Sequence, residues 1–230
     1  MRAADRGLLV VVLGCHGSGK STLVNAVVAQ LPRRGVTVSR SYLGRAQDPR
    51  LLARLRPVIE SLAHRLVGRR TGNGTGPDPV AGSRLHALAA WWYALNLAGR
   101  YHRRVRPLLQ RGGVVVVDRY VDDLAVMPGA PPGSLALARR LVPRPDLLLH
   151  VESPLATVTA RRPEQPAARL AFEMAGFRQV CADPPPGVVV HRISGENDHL
   201  VGAVDEVVAL VTDRLRYRRT AGRHRSSHHQ

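Results

Sequence analysis

A chain of 230 residues, 44% hydrophobic but only 4% aromatic, has room for one well-buried α/β domain with a core of Val, Leu and Ala; two domains would each be small. Its formal charge of +17 raises nucleic-acid binding, but no basic stripe is interleaved with aromatics that could stack on bases, so a solvated arginine-rich surface accounts for the charge and no specific nucleic acid is expected. Two cysteines, Cys15 and Cys181, make neither a metal pattern nor a disulfide framework, and no apolar run nears the ~18 residues of a membrane span, which points to a soluble protein of the reducing cytoplasm.

The first element is the apolar run Leu8 to Leu13, too short for a secretory signal and read as a strand. It leads directly into Gly14-Cys15-His16-Gly17-Ser18-Gly19-Lys20-Ser21-Thr22, which fits G-x-x-x-x-G-K-[ST] at every fixed position. A helical stripe of Leu23, Ala26, Val27 and Leu31 follows, completing the strand, loop and helix that a phosphate-binding loop requires. Glycines let backbone N–H groups turn inward around an anion, and the helix that starts here aims its positive dipole end at the same point. Lys20 is placed to meet the β and γ phosphates of ATP, and the Ser21 hydroxyl to ligate Mg²⁺. Composition argues the same way, because Lys20 is the only lysine and every other basic residue is arginine. An ammonium stands at the one place where a compact charge on a flexible stem is needed and a planar fork would be too large.

Val36 to Leu43 reads as a second strand, giving a right-handed parallel crossover with the first. An amphipathic pattern from Pro49 to Arg70 predicts a helix kinked at Pro57, and the Gly/Pro-rich stretch 71–82 a loop. Ser83 can cap a long helix running almost to Gln110, on which Trp91 and Trp92 are assigned to core packing rather than to stacking on a base. Val114 to Val117 is a strand buried on both faces, followed by a short helical piece beyond Tyr120 and a helix from Ser134 to Leu141. Asp146 to Val151 is another buried strand, helices follow from Ser153-Pro154 and over Ala167 to Cys181, Val188 to Val190 starts the last strand, and Leu200 to Leu215 the closing helix. The alternation implies a parallel sheet covered by helices on both faces, with a single domain over 1–213 and a basic, disordered tail over 214–230.

Asp118-Arg119 ends the four-valine strand, where ligands gather in an open parallel sheet. Asp118 is a candidate Mg²⁺ ligand or hydroxyl-orienting carboxylate, and Arg119 a bidentate phosphate clamp. Arg161 and Arg162, with Arg169 beyond Pro163 and Pro166, form a candidate arginine-rich lid near 161–169 that could close over a transferring phosphoryl group and exclude water.

The loop, the strand ending in Asp118-Arg119-Tyr120, the stretch Pro145 to Val151 and the Arg161-Arg162 flap together resemble the thymidylate kinase family of P-loop nucleoside monophosphate kinases, over most of residues 7 to 213. The resemblance implies a three-layer fold with a five-stranded parallel sheet, ATP and Mg²⁺ held by Gly14, His16, Gly17, Ser18, Gly19, Lys20, Ser21 and Thr22 with Asp118 as second metal ligand, and catalytic roles for Lys20, Asp118, Arg119, Arg161 and Arg162. It carries Arg119 over to the acceptor phosphate and Arg100 to the acceptor nucleotide. Three positions depart from the family: His16 stands where it keeps an acid, Ser41 to Arg45 where it has an Arg-Glu-Pro-Gly-Gly-Thr type segment, and Asp122-Asp123 where it has a small hydroxylic residue. All three lie on the acceptor side, so Asp122 or Asp123 is a candidate contact to an acceptor that differs from the family's, and His16 either another such contact or a loop-stabilising histidine.

The expected activity is transfer of the ATP γ-phosphate to a nucleoside monophosphate of the dTMP type. Alternatives are a small-molecule or sugar kinase of glycan or specialised metabolism, a nucleotide-binding regulator without catalysis, and, on charge alone, a nucleic-acid-binding ATPase. The expected partners are ATP and a small, phosphorylated acceptor, with a homodimer as a further candidate.

Overall fold

The computed structural model describes residues 7–44 and 84–226. The predicted helix over Pro49 to Arg70, the loop at 71–82, Ser83 and Arg45 lie outside the described residues. Strand β1 (Leu8–Leu13) enters the phosphate-binding loop, helix α1 (Lys20–Gln30) leaves it, and a 3-10 turn (Leu31–Arg34) leads to β2 (Val38–Tyr42). Helix α2 (Arg84–Arg100) passes through a π turn (Tyr101–Val105) into α3 (Arg106–Gln110), so the single long helix read from the sequence contains one wide turn. Strand β3 (Val114–Asp118) is followed by a 3-10 turn (Val121–Leu124) and α4 (Pro132–Leu141), then β4 (Leu147–Glu152), α5 (Leu155–Arg161), α6 (Ala167–Ala182), β5 (Val189–Ser194) and α7 (Asn197–Ser226).

The five strands are all parallel, in the order β2-β3-β1-β4-β5. Alternation along β1 explains the layers: Leu9, Val11 and Leu13 pack against Ala94, Leu97, Val105 and Phe177 on one face, and Leu8, Val10 and Val12 against Leu23, Val27, Val207 and Val211 on the other. Each of these fully buried Val and Leu side chains contributes roughly 1.5–3 kcal/mol of hydrophobic transfer, which fixes the strand's register. Residue Val12 lies beside Asp118, which in turn lies beside Tyr42, so the phosphate-binding loop, Asp118 and Tyr42 emerge together at the carboxyl ends of three adjacent strands.

Two expectations need correction. Trp91 and Trp92 are 38% and 41% exposed, because α2 turns Ala90, Ala94, Leu97 and Ala98 to the core and leaves the rings beside that stripe. The basic segment from residue 214 is helical through Ser226, and part of it is anchored: Arg214 donates to the Asp146 carbonyl at 3.1 Å, and Arg218 pairs with the Asp146 carboxylate. Among the described residues no helix is long and apolar enough to cross a membrane.

Candidate functional site

The loop between β1 and α1 is shaped by glycines at two places above all. Gly14 has φ 147°, and a Cβ there would stand 2.3 Å from the Val151 carbonyl oxygen on β4. Gly19 has φ 92° and is the N-cap of α1 without any side-chain cap, so the first-turn N–H groups stay available to an anion. Gly14→Ala is therefore expected to lower the melting midpoint and to remove the thermal shift produced by Mg·ATP, both read by differential scanning fluorimetry.

Lys20 is buried and folds back so that Nζ donates to the Cys15 carbonyl at 2.5 Å. Burial first, and the neighbouring Arg119 second, push its pKa down to about 8, against the opposing pull of Asp118. Ser21 Oγ donates to Asp118 Oδ2 at 3.3 Å, and the buried Oδ1 of the same carboxylate has no hydrogen-bond partner among the described residues. A hydroxyl and an under-satisfied carboxylate side by side fit Mg²⁺, which takes one or two such oxygens and fills its octahedron with water and phosphate oxygens. No cluster of three or more His, Cys, Asp or Glu able to hold a metal occurs among the described residues, and Mg²⁺ bound this way needs none.

Arg119 leaves β3 in a left-handed conformation (φ 66°), the one such non-glycine among the described residues, and its guanidinium is buried. Nη1 reaches both Asp123 carboxylate oxygens at 3.1 and 3.2 Å, while Nη2 lies 3.1 Å from His16 Nε2 and 3.3 Å from Nδ1. Burial works against its charge, but Asp123, Tyr42 and Glu173 outweigh burial and hold the guanidinium above its ordinary value. His16 Nδ1 is in turn 2.9 Å from Oε2 of Glu173 on α6. Burial would raise the Glu173 carboxyl, yet the hydrogen bond from His16 and the charge of Arg119 bring it below its usual value.

A cleft of about 460 Å³ brings His16, Lys20, Ser21, Asp118, Arg119, Arg161 and Arg162 together. Its wall also includes Gly17, Gly19, Thr22 and Tyr42. Arg161 Nη1 donates to the carbonyls of Gly17 and Gly195, each at 3.1 Å, tying the loop to the turn before α7. Arg162 is half exposed and 3.4 Å from Glu164. Ser18 is buried, and its carbonyl accepts from Ser153 Oγ at 3.4 Å.

Two predicted site residues are not among those lining the cleft. Arg100 is buried on α2, but its fork donates to the carbonyls of Gly44 and Leu43, both at 2.8 Å, which pins the end of β2. Asp122 turns away from the cleft to Arg139 at 2.7 Å, and burial keeps its carboxyl above the ordinary range despite that arginine. Its neighbour Asp123 is the one that reaches Arg119. Glu173 and Tyr42 were not expected at the site. A signal for Glu173 is present, since it is the lone acid on the buried face of Leu170, Met174 and Phe177 on α6.

No family model matches the chain. It is 28% identical over 219 residues to the thymidylate kinase of Xanthomonas campestris pv. campestris (strain B100), covering 91% of this chain and 87% of that one. It is 28% identical over 217 residues to the thymidylate kinase of Parasynechococcus marenigrum (strain WH8102), covering 83% and 96%. Against the thymidylate kinase of Thermosynechococcus vestitus the identity is 28% over 218 residues, covering 81% and 85%. With its five-stranded parallel sheet and phosphate-binding loop, the chain has the α/β fold of a P-loop kinase and is similar, as a divergent relative, to the thymidylate kinases.

Proposed function

We propose that this chain transfers the γ-phosphoryl group of ATP to the phosphate of a nucleoside monophosphate of the dTMP type, in the cytoplasm. The observation that carries the proposal is the meeting of Lys20, the Ser21–Asp118 pair and Arg119 in one cleft at the carboxyl ends of β1 and β3. Relatives named thymidylate kinase, aligned over most of the chain, support the choice of acceptor.

The chemistry is positioning and charge neutralisation. Gly14 to Thr22 hold the donor phosphates, and Lys20 exchanges the Cys15 carbonyl for the β and γ phosphate oxygens, which restores the charge that burial weakens. Bound Mg²⁺ would supply charge neutralisation across the β and γ phosphates, held by Ser21 and Asp118. Arg119 holds the acceptor phosphate in line, one of whose oxygens forms the new bond to the γ phosphorus as the bond to the bridging β–γ oxygen breaks and ADP leaves. Arg162, with Arg161 beside the loop, faces the charge that spreads over the transferring group.

A second reading, a kinase acting on a small hydroxylated metabolite or sugar, is favoured by the position of His16 and by Arg100 being engaged at the end of β2. ADP release with Mg·ATP, measured across deoxynucleoside and ribonucleoside monophosphates and a panel of sugars, separates the two. Turnover highest with dTMP is the expected result. Turnover only with a sugar or hydroxylated metabolite would replace the first reading by the second, and tight ATP binding without turnover of any acceptor would leave a nucleotide-binding regulator.

A further inference from the structure

Four side chains from four separate segments form one line across the cleft: Asp123, Arg119, His16 and Glu173, linked at 3.1, 3.1 and 2.9 Å. The end groups are acids almost wholly withdrawn from water, with Asp123 0% and Glu173 1% exposed, while His16 keeps about a third of its side chain open to the cleft. Buried carboxylates are placed at a cost, and they persist where a hydrogen-bonded partner uses them. Glu173 belongs to no part of the phosphate-binding loop, metal pair or lid. Its Oε1 has no hydrogen bond among the described residues, with Arg169 Nε at 3.7 Å, while Oε2 pairs with His16 Nδ1.

The donor and acceptor inventory fixes the state of the ring. Arg119 Nη2 lies 3.1 Å from Nε2 and 3.3 Å from Nδ1, almost equidistant from two atoms of one ring, so the guanidinium rests against the ring face. A carboxylate can only accept, so the nitrogen facing Glu173 must carry the proton. Nδ1 is that nitrogen, 2.9 Å from Glu173 Oε2. The opposite neutral tautomer would set two lone pairs against each other at Glu173.

We propose that Glu173 is a positioning residue for the acceptor side of the kinase reaction: by holding a proton of His16 on Nδ1, it fixes the ring plane against which Arg119 Nη2 rests. Asp123 takes the other prong of the same fork. Arg119 is thereby clamped from both sides, and its aim toward an acceptor phosphate is set from α6, 54 residues further along the chain. The role rests on the kinase reading for its consequence in catalysis, but not for the tautomer itself.

The test separates the two. In ¹⁵N-histidine-labelled protein, with the His16 signals assigned by their loss in His16→Asn, the ring is expected to carry its proton on Nδ1. Glu173→Met matches the side chain in length, suits the apolar face of Leu170, Met174 and Phe177, and is expected to move the proton to Nε2. Glu173→Gln retains a carbonyl acceptor and is expected to keep it on Nδ1. With Mg·ATP and dTMP, Glu173→Met is expected to raise the KM for dTMP about ten- to a hundred-fold, the worth of a hydrogen bond to a charged group, with the KM for ATP unchanged and Glu173→Gln recovering most of the loss. A wild-type ring protonated on Nε2 alone, or a tautomer indifferent to Glu173→Met, would overturn the proposal. So would a fall in ATP and dTMP parameters together that Glu173→Gln does not relieve. If dTMP is not turned over at all, the kinase reading with this acceptor fails, and the nitrogen spectra still decide the role of Glu173.

Discussion

Lys20→Met is expected to lower kcat by about 10²- to 10³-fold, the usual loss when one preorganised donor to developing charge is removed, while the fold is kept. The methionine stem replaces the apolar part of a side chain that is already buried, and among the described residues the ammonium donates to the Cys15 carbonyl. Stability moves the other way. Because burial lowers the folded-state pKa from 10.5 to about 8, the unfolded chain binds more protons than the native one between those values. The lysine's contribution to wild-type stability is therefore complete only above pH 10.5 and is lost as pH falls through about 8. At pH 7 the methionine variant should melt at or above the wild-type temperature, and the gap should narrow by pH 10. Lys20→Arg should lose activity as well, since a guanidinium does not fit the space beneath the loop. Steady-state kinetics and melting curves at the two pH values check all three.

Arg119→Ala is expected to abolish acceptor turnover and to destabilise the protein by about 3–5 kcal/mol, because Asp123 loses the guanidinium it is buried against. Part of that cost comes from the backbone rather than the charge. Residue 119 sits at φ 66°, which costs a residue with a Cβ about 1–2 kcal/mol, so Arg119→Gly should be more stable than Arg119→Ala by about 1 kcal/mol. Arg119→Ala combined with Asp123→Asn should recover much of the lost stability and none of the activity, which urea unfolding and turnover measurements together would show. Equal losses in the alanine and glycine variants would mean that the left-handed backbone stores no strain.

The phosphate-binding loop and the end of β3 were legible because their chemistry is local. A nine-residue spacing and four consecutive valines carry the information within one turn of chain, and the parallel order of strands places both at the same edge. Residues whose role depends on where a long side chain goes were harder to read. Arg100 stands on the helix where the resemblance put it, but the Leu43 and Gly44 carbonyls at the end of β2 lie within reach of its fork and take it. Asp122 and Asp123 are indistinguishable in sequence, and only the 3-10 turn Val121–Leu124 decides that one faces Arg139 and the other Arg119. Glu173 is 157 residues from His16, a distance over which no pattern reports a contact. The tryptophans were misplaced because an alanine-rich stripe on α2 packs closer to the sheet than rings would.

The central claim is that Lys20, Ser21, Asp118 and Arg119 together move a phosphoryl group from ATP to a second phosphate. It is tested most directly by ³¹P NMR of the protein with Mg·ATP and dTMP. Growth of the two coupled resonances of dTDP in step with those of ADP, absent in Lys20→Met, is the predicted result. A spectrum in which ATP persists, or yields only ADP and inorganic phosphate with dTMP and every other nucleoside monophosphate supplied, would contradict it.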